Sequence, residues 1–221
     1  MADFAEARDM VMALKNKYWT DGLYSYKGIQ KRVCFHSREI RGRKDAFNPD
    51  IIDYKSFVAD LSQLMAAIPM CIYASHIDKE RHVNQYIHPI EPYDLCMTFV
   101  LERILRDLPV NQNCVIILES RGAKEDRAVL DFIKGLIDNG TRFHPASHFS
   151  RIKGVYFNPK WCKAADDRMS YWELELADLC AYPIQKFFVY GSMDLAFQVI
   201  LPKLSHYPDH MGKGLKSFPI T

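Results

Sequence analysis

Apolar positions along the chain follow two rhythms, one of a helix and one of a strand. Phe4, Val11, Leu14 and Tyr18 recur at intervals of seven, three and four residues, which places them on one face of an opening helix. A loop carrying Asp21, Gly22 and Gly28 is expected next, then the apolar triplet Val33, Cys34 and Phe35, then a basic loop. Residues 54–67 read as a second amphipathic helix, and residues 68–78 (IPMCIYASHID), rich in strand formers, read as a buried strand. Pro89 and Pro92 lead into a long helix whose stripe is Tyr93, Met97, Val100, Leu101, Ile104 and Leu108.

The clearest strand is residues 114–118 (CVIIL), followed by Glu119, Ser120, Arg121 and Gly122. Residues 124–139 carry Val129, Ile133, Leu136 and Ile137 on one helical face and stop at Gly140, a C-terminal glycine signal. Residues 155–157 form a short strand. Residues 173–189 form a helix that Pro183 should kink or end near Tyr182. A last helix near 194–204 precedes a tail rich in His, Pro and Gly, whose segment 212–217 reads as flexible. Strands alternating with long helices imply an α/β fold with parallel strand pairs. No repeat, low-complexity tract or linker marks a second domain, so a single domain over 1–221 is expected.

Composition narrows this picture. Of 221 residues, 48% are apolar and 25% charged, which suits a globular chain and excludes disordered, collagen-like and coiled-coil readings. The formal net charge of +2 gives no global field for nucleic acid or membrane, so any such binding must be local. Six cysteines, at 34, 71, 96, 114, 162 and 180, contain no C-x-x-C. Cys71 and Cys114 sit in apolar runs where buried free thiols are common. With no signal peptide and no membrane-length apolar stretch, a reduced cytoplasmic setting is expected.

Three groups could carry chemistry. Glu119 ends a strand, where ligands of open α/β sheets gather, and Arg121, Glu125 and Asp126 follow closely. A Glu119–Arg121 ion pair and helix-dipole roles for Glu125 and Asp126 are the plainer alternatives. In the helix W-E-L-E-L-A-D-L-C-A-Y-P, packing is expected through Leu174, Ala177, Leu179, Ala181 and Tyr182, with Glu175 and Asp178 sharing a face. A carboxylate here facing Glu119 would hold a divalent cation, Mg²⁺ or Mn²⁺, for phosphodiester hydrolysis. Third, Lys31, Arg32, Arg38, Arg41, Arg43 and Lys44 stand against one acid, Glu39, a local basic patch suited to phosphate contacts or simply a solvated surface. His36 beside it could shuttle a proton, bind phosphate or be structural. The pairs His144/His148 and His206/His210 have i,i+4 spacing, but each contains a proline that spoils a helical metal site. The common phosphate-loop, dinucleotide, hydrolase-elbow and zinc-protease signatures are absent.

These pieces stand in a familiar order. His36-Ser-x-x-Ile40, then Ile77-Asp78-Lys79, Leu118-Glu-Ser-Arg-Gly-x-x-Glu-Asp126 and Leu174-Glu-Leu-Ala-Asp-Leu-x-Ala-Tyr-Pro183 resemble the bacterial and phage domain-of-unknown-function family number 3800. The likeness runs from about residue 18 to about 188, leaving 189–221 as a C-terminal extension. It implies a ribonuclease H-like fold, a mixed five-stranded sheet with helices on both sides, and metal-dependent nuclease chemistry. Carried over, Glu119 and Asp178 would be the acidic site, with Glu125 as a further ligand, Arg121 and His36 close by, and Arg38, Arg41 and Arg43 holding phosphate.

Two departures stand out. The family usually has glutamine at the place of Glu175, and its members usually begin with a strand reading Asp-Glu-Ser-Gly and two further strands. Those leading strands are expected to be missing here: either the protein is truncated, or the sequence is a fragment, or a partner chain or second copy supplies the strands and completes the sheet. The expectation is thus a metal-dependent nuclease-like domain, with a non-catalytic nucleic-acid- or protein-binding module of phage or defence origin as the alternative.

Overall fold

The structure, a computed structural model, describes residues 2–158 and 171–219. It begins with α1 (Ala2–Tyr18), the strands β1 (Leu23–Tyr26) and β2 (Ile29–Arg32), α2 (Ser37–Gly42) and α3 (Tyr54–Ala67). Then come β3 (Ala74–Ile77), α4 (Lys79–Gln85), α5 (Pro92–Asp107), β4 (Cys114–Glu119), α6 (Ala123–Asn139), α7 (Ala146–Phe149) and β5 (Ile152–Asn158). The described chain closes with α8 (Trp172–Tyr190), α9 (Leu195–Ile200) and β6 (Leu215–Phe218). The result is a mixed α/β structure, with parallel and antiparallel strand pairs. Among the described residues no helix is long and apolar enough to cross a membrane. The chain divides into two units, residues 1–70 with 159–202, and residues 71–158 with 203–221.

The first unit is built around aromatic rings. Trp19, Phe35, Phe47 and Phe57 are all nearly or fully buried, and their ring centroids lie 5.3–6.5 Å apart in tilted and edge-on pairs. Such pairs add about 0.5–1.5 kcal/mol each beyond the area they bury. The indole N–H of Trp19 donates to the Ala46 carbonyl at 3.1 Å, so the buried donor is satisfied.

The expected loop over 20–32 is instead a β1–β2 hairpin. Its two-residue turn has positive φ at Lys27 and Gly28, the primed geometry that matches strand twist. The triplet of residues 33–35 is buried but forms no strand, and the expected basic loop is helix α2. Helix α8 also runs unbroken past Pro183 to Tyr190. Proline removes one helical hydrogen bond, but Trp172, Leu176, Cys180, Pro183 and Ile184 form a buried face whose packing holds the helix together. Ala177 and Ala181, expected in that contact, are exposed.

The second unit holds two parallel pairs. β3 pairs with β6 from Ala74↔Leu215 to Ile77↔Phe218, and β4 pairs with β5 from Cys114↔Ile152 to Glu119↔Asn158. The strand expected over 68–78 is thus shortened to its last third, preceded by a single bridge from Ile72 to Leu204. The supposedly flexible segment 212–217 contains most of β6. Phe218 anchors that strand by packing against His82, Tyr86 and Phe99. Leu101, Leu105, Ile133, Leu136, Phe149 and Ile152 form the core under β4 and β5. Cys34 and Cys180 are buried, Cys96 and Cys114 are half-buried, and Cys71, ahead of β3, is exposed; Cys162 lies outside the described residues.

Candidate functional site

The acids of α8 have different tasks from each other. Glu175 is fully buried, and its carboxylate accepts from Lys15 Nζ at 2.7 Å and from the Phe35 backbone N–H at 2.7 Å. Lys15 is itself only 2% exposed, and its ammonium lies 5.0 Å from the centroid of the Phe35 ring. Two buried charges thus neutralise each other and satisfy a backbone donor, which is the condition for keeping ions in a protein interior. The sequence held a signal for this. Lys15 follows Val11 by one helical turn, so it occupies a place on the apolar stripe of α1.

Asp178 lies one turn further along α8. Its carboxylate is half-buried and accepts from the Ser37 backbone N–H at 2.7 Å. That contact ties α8 to the start of α2, where His36 lies 3.5 Å from the Glu39 carboxylate. The structure therefore brings His36, Arg38, Arg41 and Asp178 into one neighbourhood. Arg41 stacks on Tyr182 with its guanidinium carbon 3.4 Å from the ring centroid, and Arg43 lies over Tyr54 at 5.0 Å. Both cations are exposed, as are Arg38 and Lys44. Stacking against a ring fixes a guanidinium and leaves its in-plane N–H groups available. Sequence spacing gave no hint of these ring partners, because Tyr54 and Tyr182 belong to other helices.

Glu119, Arg121 and Glu125 belong to the second unit, at the carboxyl end of β4. All three are exposed. The loop that carries them is ordered by Asp126, whose carboxylate accepts from Ser120 Oγ at 2.6 Å and from the Arg121 N–H at 2.8 Å. Gly122 has φ of 120°, which a side chain rarely tolerates, so the turn into α6 depends on glycine. Arg121 lies 5.6 Å from the Tyr93 ring centroid.

A third cluster was not foreseen. Asp107, at the end of α5, accepts from Arg106 Nε at 2.7 Å, Tyr73 OH at 3.0 Å and Ser205 Oγ at 3.1 Å, and lies 2.9 Å from His206 Nε2. Arg106, opposed by partial burial but helped by His206 and Tyr73, holds the Asp107 carboxyl well below the usual carboxylate range. Burial, with Asp107 nearby, pushes Tyr73 up to about 12. The cluster knits Tyr73, α5 and the turn at 205–206 together. In addition, the His144 and His148 rings stack at 4.3 Å, and burial lowers the pKa of His148.

A divalent ion needs several converging oxygens. Among the described residues no three His, Cys, Asp or Glu side chains converge as a ligand set. Glu175 is neutralised by Lys15, and Asp178 already holds a backbone N–H. No protein-family model, curated protein or solved structure matches the chain.

Proposed function

We propose that the chain is a nucleic-acid-binding module of ribonuclease H-like ancestry that contacts the phosphate backbone through Arg38, Arg41, Arg43 and Lys44. The observation that carries this reading is the exposed cationic ridge on α2 and the residues after it, with two of its guanidinium groups seated on Tyr182 and Tyr54. Such a ridge binds phosphates without reading sequence. The E-S-R-G-x-x-E-D and L-x-L-A-D-L-x-A-Y blocks support the ancestry.

Fluorescence anisotropy with labelled single- and double-stranded DNA and RNA tests the proposal. Log K is expected to fall linearly with log salt. The triple variant Arg38→Gln/Arg43→Gln/Lys44→Gln should flatten the slope by roughly 2–3, given about 0.7–0.9 per lost phosphate contact. An unchanged slope, or no binding at low salt, overturns it. The same oligonucleotides incubated with Mg²⁺ or Mn²⁺ test hydrolysis. Cleavage by the wild-type chain that disappears in Asp178→Asn would replace the binding reading with a nuclease one.

A further inference from the structure

Beside the cationic ridge, within the first unit, lies a cleft of about 200 Å³ between α2, α3, α8 and α9. Its lining is largely apolar, with Val58, Leu61, Leu179 and Val199 among others. Asp194 sets its α9 wall: the carboxylate accepts from the Phe197 N–H at 3.0 Å and from Lys186 Nζ at 2.9 Å, fixing where the helix starts. Two of the hydroxyl groups in the lining are already committed as donors. Tyr54 donates to the Ile40 carbonyl and Ser62 to the Val58 carbonyl, each at 2.9 Å.

Arg41 is different. Its Nε reaches Ser37 Oγ at a long 3.4 Å, its flat face is covered by Tyr182, and among the described residues its guanidinium meets no carboxylate. The remaining N–H groups thus form a fork on a residue that lines a largely apolar slot. Such a fork matches a carboxylate bidentately. A closed cavity of about 150 Å³ accommodates benzene, so this space suits a ring of phenyl or indole size.

We infer that this cleft binds a small organic acid, with an aromatic body inside it and a carboxylate on Arg41. This goes beyond nucleic-acid binding: it shares Arg41 with the ridge but adds the apolar slot beside it. Pockets of this kind combine an apolar lining with a few placed polar groups that orient the ligand.

Titration calorimetry on the full chain, with no nucleic acid present, tests it using 3-phenylpropionate, its neutral amide and acetate. The aromatic acid should bind at least about tenfold more tightly than either control, a difference equivalent to one charge-assisted contact. Arg41→Gln should reduce the acid to the level of the amide, and Arg41→Lys should recover only part of the loss because lysine lacks the fork. Ala196→Phe, a substitution at an exposed lining position, should fill the slot and abolish binding of acid and amide alike. Val58→Phe repeats that test should the first variant melt early. Equal binding of acid and amide by the wild-type chain, or acid binding unaffected by either phenylalanine, overturns the inference. The nucleic-acid reading stands or falls separately on its salt slope.

Discussion

Residues 33–35 and strand β4 are made of the same apolar material and have opposite fates. Val33, Cys34 and Phe35 form no regular element, yet none is more than 2% exposed. β4 is a continuous run of strand formers with a parallel partner, yet Val115 is 55% exposed and its neighbours are only partly covered. Local hydrophobicity therefore does not decide burial. The triplet is covered because the rings of Trp19, just after α1, of Phe57 on α3 and of Phe47 in the turn at 45–47 pack on Phe35, and because Glu175 takes up the Phe35 N–H. β4 is packed on the side facing α5 and α6, where the core of its unit lies.

The comparison breaks most visibly at the buried ion pair. Lys15→Met or Glu175→Leu alone should cost about 3–5 kcal/mol, because each leaves an uncompensated buried charge, whereas the double variant should return to within about 1–2 kcal/mol of wild type. Urea unfolding of the three variants measures this. Additive losses would mean that the charges do not depend on each other.

Next in size is a matched pair of truncations. Phe57→Ala, in the aromatic cluster, should cost about 3–5 kcal/mol. Ile116→Ala, on half-buried β4, should cost only about 1–2 kcal/mol. Equal losses would show that β4 is covered as thoroughly as the first unit's core.

Asp107 comes third. Asp107→Asn should lose about 2 kcal/mol at pH 7, the scale of hydrogen bonds to an ionised group. A depressed carboxyl stabilises the fold above its unfolded value near 3.9 and loses that contribution as pH falls through the lower folded value. The gap between wild type and variant should therefore close on acidification below about pH 4, read from unfolding curves at several pH values. A constant gap would assign the loss to packing. The smallest effect is expected at Arg127, paired with Asp131 one turn away at 3.0 Å while both are largely exposed. Arg127→Ala should change stability by less than about 0.5 kcal/mol in the same assay.

The long periodic helices were legible in the sequence. The stripe over residues 54–67 and the stop at Gly140 coincide with α3 and the end of α6, because burial of one face and a positive-φ glycine are local properties. What escaped was set by distant partners. β1 and β2 are mostly polar and are held as a hairpin by a Lys-Gly turn instead of the stronger Asn-Gly signal. α4 follows β3 directly, capped by Asp78 through the Arg81 N–H, with too few residues for a helical stripe to show. β6 was hidden because only β3, far back in the sequence, gives it an edge.

The candidate site shows the same division. Arg38, Arg41, Arg43 and Asp178 were identifiable as residue types in a plausible order. The sequence did not reveal that Asp178 holds the start of α2, or that Tyr182 seats Arg41, because both contacts join residues about 140 positions apart.

The β3–β6 pairing also has a consequence for synthesis of the chain. β3 is complete by residue 77, but its partner ends at residue 218. On the ribosome, at roughly 5–20 residues per second, that strand waits about 7–28 seconds for its partner. Each unit is likewise assembled from two stretches of chain interleaved with the other's. The first unit therefore cannot be completed until residues 159–202 have been made, after most of the second unit's chain. The second unit can be finished only after residue 218 has been made, and until then β3 offers an unpaired edge that a nascent-chain chaperone would shield.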